Sequence, residues 1–431
     1  MYLTDRSAPA RADTGQGRRR GLRPGVAPVV LVLGTVSLIT DISSEMVTAV
    51  LPLYLVSTLG FTPLAFGTLD GVYNGVSALV QLTGGHLADR IRNHKLLAGL
   101  GYGLSALCKP LLLLVSSIGA LGTVLALDRT GKGLRTAPRD AMISLSTPSA
   151  KQGRAFGVHR AMDTTGAMLG PLAAFLILSA AADGYDAVFG VSTCVAVLGV
   201  VVLVLFVPGR RRGGTDGSAA GGEGGDSEAV AGKPPVRVRE AFALLRLPRL
   251  RALAGCAALL GLTTVSDAFV YLLLQRRAGI GEQWFTLLPL GTAVVFLLLA
   301  VPVGALADRV GRHRVFLAGH LALLTGYALL LWAPATPVLP FLVLALHGVF
   351  YAATDGVLPA ALADIVPEEL RASGLAIVGT SQALARFCCS LAFGAAWTVW
   401  GDGPALAASA VGLLCCAAIA SRVLRPTDGN R

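Results

Sequence analysis

Long apolar runs, one after another, constrain this chain more than any other feature. A helix needs about 20 predominantly apolar residues to cross the hydrocarbon core of a bilayer. Twelve such runs can be marked among the 431 residues, at 28–57, 64–88, 95–116, 118–139, 154–180, 185–207, 250–275, 284–307, 314–333, 337–362, 372–399 and 404–424. Only 14% of the residues are charged, against about 25% in an ordinary soluble domain. The 52 glycines scattered through the runs suit close helix packing in lipid. Short alternating strands of the outer-membrane barrel kind do not occur. The sequence therefore predicts an all-α polytopic membrane protein.

The second run closes on Gly84-Gly85-His86-Leu87-Ala88-Asp89-Arg90, and a basic turn follows. The eighth closes on Gly304-Ala305-Leu306-Ala307-Asp308-Arg309-Val310-Gly311-Arg312. Two copies at matching places indicate two halves built from one six-helix unit. The expected layout is a disordered basic tail at 1–27, bundles at 28–207 and 247–425, a Gly/Ser/Asp/Glu-rich linker at 208–246 and a short tail at 426–431. Lys and Arg gather in the tails, the linker and every second turn, while the alternate turns lack them apart from Arg276-Arg277. That bias predicts a cell-membrane protein with both termini in the cytoplasm. It also accounts for the net charge of +11 without nucleic acid. The seven cysteines lie in apolar stretches without metal-ligand spacing and read as small buried hydrophobes.

Charges inside the runs are costly in lipid and point to a wet cavity or to one another. Asp41 and Glu45 lie one turn apart on the first run, and Asp267 occupies a comparable place on the seventh. Asp128, Lys132, Arg135 and Arg139 on the fourth are spaced to share one helix face, and Pro138 is expected to break that helix near its end. Arg160 and Asp163 on the fifth have the spacing of an intrahelical ion pair that doubles as cavity wall. Asp41 and Glu45 are the candidate proton sites, with an ion pair to Arg129 or Lys109 as the competing and compatible role. Asp70, Lys109, Asp355 and Arg386 are further intramembrane charges, and His159 and His347 are either hydrogen-bonded packing residues or proton relays.

Two six-helix halves, a basic linker and the repeated turn together resemble the major facilitator superfamily. The second copy matches that family's loop at Gly304, Asp308, Arg309, Gly311, Arg312 and Arg314; the first keeps Gly85, Asp89 and Arg90. The resemblance implies that these turns gate the cytoplasmic side. Arg129 with Gly133 looks like the family's R-x-x-x-G motif on the fourth helix, implicated there in proton coupling. Gly157, Gly166, Gly170 and Pro171 are similar to the antiporter motif of the drug–proton exporters, although Ala174-Phe175 stand where that motif ends in two glycines. Small residues and a proline there suit a hinge that resists leak.

The resulting expectation is a secondary transporter, monomeric by resemblance, that exports a small organic molecule by proton antiport through alternating access. The proton is the coupling ion and no cofactor is implied. Uptake of an anion by proton symport is the alternative, with Lys109, Arg129, Lys132, Arg135, Arg160 and Arg386 making a positive cavity. A polytopic enzyme or lipid-handling protein, and a non-transporting receptor, are readings from other classes. No H-E-x-x-H, G-x-S-x-G or P-loop motif supports an enzyme.

Overall fold

Prolines and side-chain caps set where the helices begin. Pro28 and Pro63 occupy first-turn positions, where a missing N–H costs nothing. The side chains of Asn93 and Ser117 accept the free N–H groups of Leu96 and Ala120. The computed structural model describes residues 27–91, 93–148, 152–181, 184–207, 246–355, 357–363, 365–366 and 371–424. The tail at 1–26, the linker at 208–245 and the end at 425–431 lie outside the described residues.

The first half comprises α1 (Pro28–Leu53, continued by a wider turn at Tyr54–Thr58), α2 (Pro63–Ile91), α3 (His94–Leu114), α4 (Ile118–Leu145), α5 (Gln152–Ala180) and α6 (Gly184–Phe206). The second comprises α7 (Pro248–Gly261), α8 (Asp267–Ala278), α9 (Glu282–Phe285), α10 (Leu288–Val310), α11 (Arg312–Trp332), α12 (Leu339–Thr354), α13 (Val357–Ala363), α14 (Arg371–Trp400) and α15 (Asp402–Val423). All twelve expected runs map onto this set, the seventh, eighth and tenth as interrupted helices. Among the described residues, eight helical segments are long and apolar enough to cross a bilayer. Charges in α4 and the breaks after α7 and α12 account for three of the others.

Three expectations need correction. First, α4 does not end at Pro138 but runs through it to Leu145. A proline deletes one backbone bond, and its neighbours can carry the helix across that gap. Second, the seventh run is interrupted at 262–266. Thr263 and Thr264 turn their hydroxyls onto the Leu260 carbonyl, and the freed Val265 N–H donates to the Tyr327 hydroxyl at 2.8 Å. A break at membrane depth survives when its backbone groups find such partners. Third, the tenth run divides into α12 and α13.

Within the first half α1 packs on α5 and α6, and α4 on α2 and α3; within the second, α12 packs on α10 and α11, and α14 on α7 and α15. The halves meet chiefly along α2 and α14. A Cβ at Gly67 would lie 2.4 Å from the Ser390 carbonyl oxygen, and one at Gly394 would lie 2.5 Å from that of Pro63, so these glycines permit backbone-to-backbone contact. At the end where α1 finishes, Phe66 of the first half stacks edge-on against Phe269, which also meets Phe393 and Trp397. Leu64 N–H donates to Thr398 and the Tyr185 hydroxyl to Glu282 across the same boundary. This end is sealed by apolar rings with a few hydrogen bonds at their edge.

Candidate functional site

Each half buries a polar assembly, and a cavity lies between them. On α1, Ser37, Asp41 and Glu45 recur every four residues and so share one face. The antiparallel α4 answers in order: Arg139 donates to Ser37 at 3.2 Å, Arg135 meets Asp41 at 3.6 Å, and Lys132 meets Glu45 at 3.7 Å. Asp41 and Arg135 are 7% and 3% exposed. Arg135 also lies 4.5 Å over the Tyr102 ring. From α5, Asp163 stands 3.6 Å from Arg139 and brings its carboxyl within hydrogen-bonding reach of Asp41. His159 Nε2 is 3.2 Å from the Ser37 hydroxyl. The α1 acids therefore pair with Arg135 and Lys132, not with Arg129 or Lys109, because antiparallel helices bring matching three- and four-residue spacings into register.

Asp128 lies at the start of the α4 face that carries Lys132, Arg135 and Arg139, where that face meets α3. It turns toward α3, where it accepts from Lys109 at 3.1 Å and from Arg129 at 2.8 Å. All three are at most 4% exposed. The Tyr73 ring covers the Arg129 guanidinium at 3.9 Å, and the Tyr73 hydroxyl reaches Thr48 at 2.9 Å. Arg129 is thus clamped between an acid and a ring, with its charge held behind the cavity wall.

In the second half Asp267 opens α8 just after the break. It accepts from the Tyr351 hydroxyl at 2.7 Å and lies 3.0 Å from His347 Nε2, both one turn apart on α12. His347 is therefore a hydrogen-bonded partner of the acid. The cavity between the halves has a volume of about 370 Å³ and is walled by Glu45, Asp70 and Tyr73 on one side and Asp267, Tyr271, Tyr351, Asp355 and Arg386 on the other. Asp70 accepts from Ser390 of the other half at 2.6 Å. A side chamber of about 120 Å³ within the second half shares Thr264, Asp355 and Arg386 with it and adds His320.

This placement corrects the expectation of a positive cavity. Of the six cations proposed for it, Arg386 lines the wall; Lys109 and Arg129 are spent on Asp128, and Arg135 and Lys132 on the α1 acids. Arg160 reaches Asp163 at 3.8 Å, but its side chain is 81% exposed and neither residue lines the cavity.

The α5 glycines divide. A Cβ at Gly166 would lie 2.5 Å from the Leu38 carbonyl oxygen and one at Gly170 would lie 2.7 Å from the Glu45 Cβ, so both hold α5 against the acid-bearing face of α1. Gly157 has nothing within 4 Å and makes no such contact. Pro171 sits inside an uninterrupted α5. In the second loop copy Asp308 pairs with Arg312 at 3.2 Å, four residues on, and Arg309 is exposed. Gly311 takes φ +107°, which favours glycine, and lets α10 turn into α11; Gly304 packs against nothing within 4 Å. In the first copy Gly85, Asp89 and Arg90 lie in the last two turns of α2, and their side chains lie outside the described residues.

Sequence reasoning missed Ser37, Tyr73, Tyr102, Tyr351 and Ser390. Ser37 and Tyr351 each lie four residues from a residue already singled out, Asp41 and His347, which is the signal that finds them.

Several known proteins share these features. The chain matches the Major Facilitator Superfamily over residues 33–387 and 286–431. It is 28% identical over 381 residues to an uncharacterized MFS-type transporter of Methanocaldococcus jannaschii, covering 86% of this chain and 88% of that one. An uncharacterized protein of Mycobacterium tuberculosis is 31% identical over 186 residues, 43% of this chain and 45% of that one. Among solved structures, the nucleoside transporter NupG superposes with a TM-score of 0.76 at 13% identity, over 93% of this chain and all of that one. An inward-facing bacterial homologue of the lysosomal transporter Spinster gives 0.71 at 16% identity, over 93% and 98%. At such identities the structures attest the fold alone. With the two bundles, the cavity between them and the sequence match in agreement, the chain belongs to the Major Facilitator Superfamily and is a membrane transporter of a small molecule, not an enzyme.

Proposed function

We propose that this transporter exports a small organic molecule in exchange for protons. The observation that carries proton coupling is the cluster of Asp41, Asp163 and Arg135. Two carboxyls within hydrogen-bonding reach disfavour double ionisation and form a seat for one shared proton. A proton arriving there neutralises the partner of Arg135 and weakens the 3.6 Å ion pair between α1 and α4. Glu45 belongs both to the same helix face and to the cavity wall, so the event is felt where the substrate sits.

Alternating access then requires the halves to rock about the cavity. The basic turns support termini in the cytoplasm of a cell membrane, an orientation in which the sealed end is the outer one. The direction of export is supported by α5, whose Gly166 and Gly170 press on α1 beside Leu38 and Glu45. The ladder and the cavity are complete within one chain, which fits a monomer.

The test is the internal level of a broad small-molecule panel in energised cells expressing wild type or Asp41→Asn, with and without a protonophore. Lower levels with the wild type, abolished by either change, are expected. Higher levels would reverse the direction, and export indifferent to the protonophore would end the proton coupling.

A further inference from the structure

The charges that wall the cavity differ in whether they already have partners. Glu45 is answered by Lys132, Asp70 by Ser390 and Asn74, and Asp267 by His347 and Tyr351. Asp355 and Arg386 remain. Among the described residues, neither side chain makes a hydrogen bond or an ion pair within 4 Å, although the two lie within electrostatic reach of each other. Both line the main cavity and the side chamber, so they stand where the two spaces join. A guanidinium and a carboxylate that share a wall without meeting leave room for a group between them.

The side chamber supplies a third, independent polar atom. His320 is 4% exposed, and its Nδ1 lies 2.8 Å from the Phe316 carbonyl oxygen. A carbonyl only accepts, so Nδ1 carries the hydrogen and Nε2 is left as an acceptor. No partner for Nε2 occurs among the described residues, and His320 lines the chamber beside Asp355. Asp355 and Nε2 of His320 are thus acceptors in a chamber that the Gln382 amide also lines, and Arg386 brings five donors to its mouth.

Resting on the reading of this cavity as the transport site, we infer that the transported molecule is a zwitterion of the amino-acid kind. Its ammonium sits in the side chamber against Asp355 and His320, and its carboxylate lies on Arg386. Its apolar body occupies the main cavity against Val265, Ala268, Phe285 and Phe296. A simple cation would face Arg386 without compensation. A simple anion would face Asp355 with Asp267 and Asp70 close by. A molecule with both charges satisfies both wall residues at once.

The experiment is thermal unfolding of the purified full chain in detergent with four probes: L-leucine, L-phenylalanine, L-leucine methyl ester, which keeps only the ammonium, and N-acetyl-L-leucine, which keeps only the carboxylate. The two free amino acids should raise the unfolding temperature in a concentration-dependent way, and both derivatives should need at least about tenfold more ligand for the same rise, one lost charge-assisted contact at about 1.4 kcal/mol per tenfold. Arg386→Gln and Asp355→Asn should each abolish the rise; the derivative series needs no variant and decides the matter if either fails to fold. An ester as effective as leucine would overturn the inference in favour of a cation site, and an equally effective N-acetyl derivative would overturn it in favour of an anion site. No rise with either free amino acid would also overturn it. Because binding in detergent involves neither a gradient nor a direction, these failures leave proton-driven export standing, and a reversed direction of transport leaves the zwitterion standing.

Discussion

The Asp41 carboxylate and the Arg135 guanidinium face each other at 3.6 Å across the α1–α4 contact, both buried, with Asp163 in reach of the same carboxyl. If that cluster links proton to substrate, removing its charge should uncouple transport without emptying the cavity. Asp41→Asn and Arg135→Gln are each expected to lower gradient-driven transport at least tenfold, about 1.4 kcal/mol or more, while exchange of substrate down its own gradient persists. Paired uphill and counterflow assays in proteoliposomes check this. Equal loss in both assays would mark the residues as structural.

The Lys109–Asp128–Arg129 cluster makes the opposite prediction. One buried acid answers two buried cations, so Asp128→Asn leaves both without compensation. Breaking a buried pair this way costs about 3–5 kcal/mol. Asp308→Asn removes an exposed pair and should cost well under about 1 kcal/mol. Unfolding temperatures of the two variants in detergent should separate clearly, with Asp128→Asn far the lower.

Much of the architecture was legible in the residues because lipid leaves a chain few options. Twelve apolar runs, the repeated turn and the alternating basic loops lead to two bundles without reference to contacts. The break in the seventh run was not legible, because it depends on a partner distant in sequence, Tyr327 for Val265. The site was legible as a set of charges but not as pairs. Spacing put Asp128 on one face with Lys132, Arg135 and Arg139, but it did not show that Asp128 pairs with Lys109 of α3 while Lys132 and Arg135 pair with the acids of α1. Asp41, Glu45 and Asp163 were found because acids inside lipid stand out. Tyr73 and Tyr102 were not, since a tyrosine in an apolar run looks ordinary until a guanidinium lies on it.

Gly166 and Gly157 form a matched pair for testing the α1–α5 contact. Gly166→Ala drives a Cβ to 2.5 Å from the Leu38 carbonyl and should destabilise by about 1–3 kcal/mol. Gly157→Ala meets open space within an α-helix and should be neutral or slightly stabilising, by up to about 1 kcal/mol. Thermal unfolding distinguishes them, and equal effects would count against close packing as the reason for Gly166.

At the break before α8, the buried Val265 N–H depends on a single side chain. Tyr327→Phe removes the acceptor for the buried Val265 N–H and should cost about 1–3 kcal/mol. Amide hydrogen exchange at 262–266 should rise in that variant, while the α12 core exchanges as in the wild type.

The central claim is that the carboxyl pair of Asp41 and Asp163 holds the coupling proton. Infrared difference spectroscopy of the purified protein during a pH titration tests it most directly, since a protonated carboxyl has its own C=O band and no substrate needs to be known. The wild type should show such a band that comes and goes with pH, and Asp41→Asn should lose it. A band that persists unchanged in both Asp41→Asn and Asp163→Asn would contradict the account.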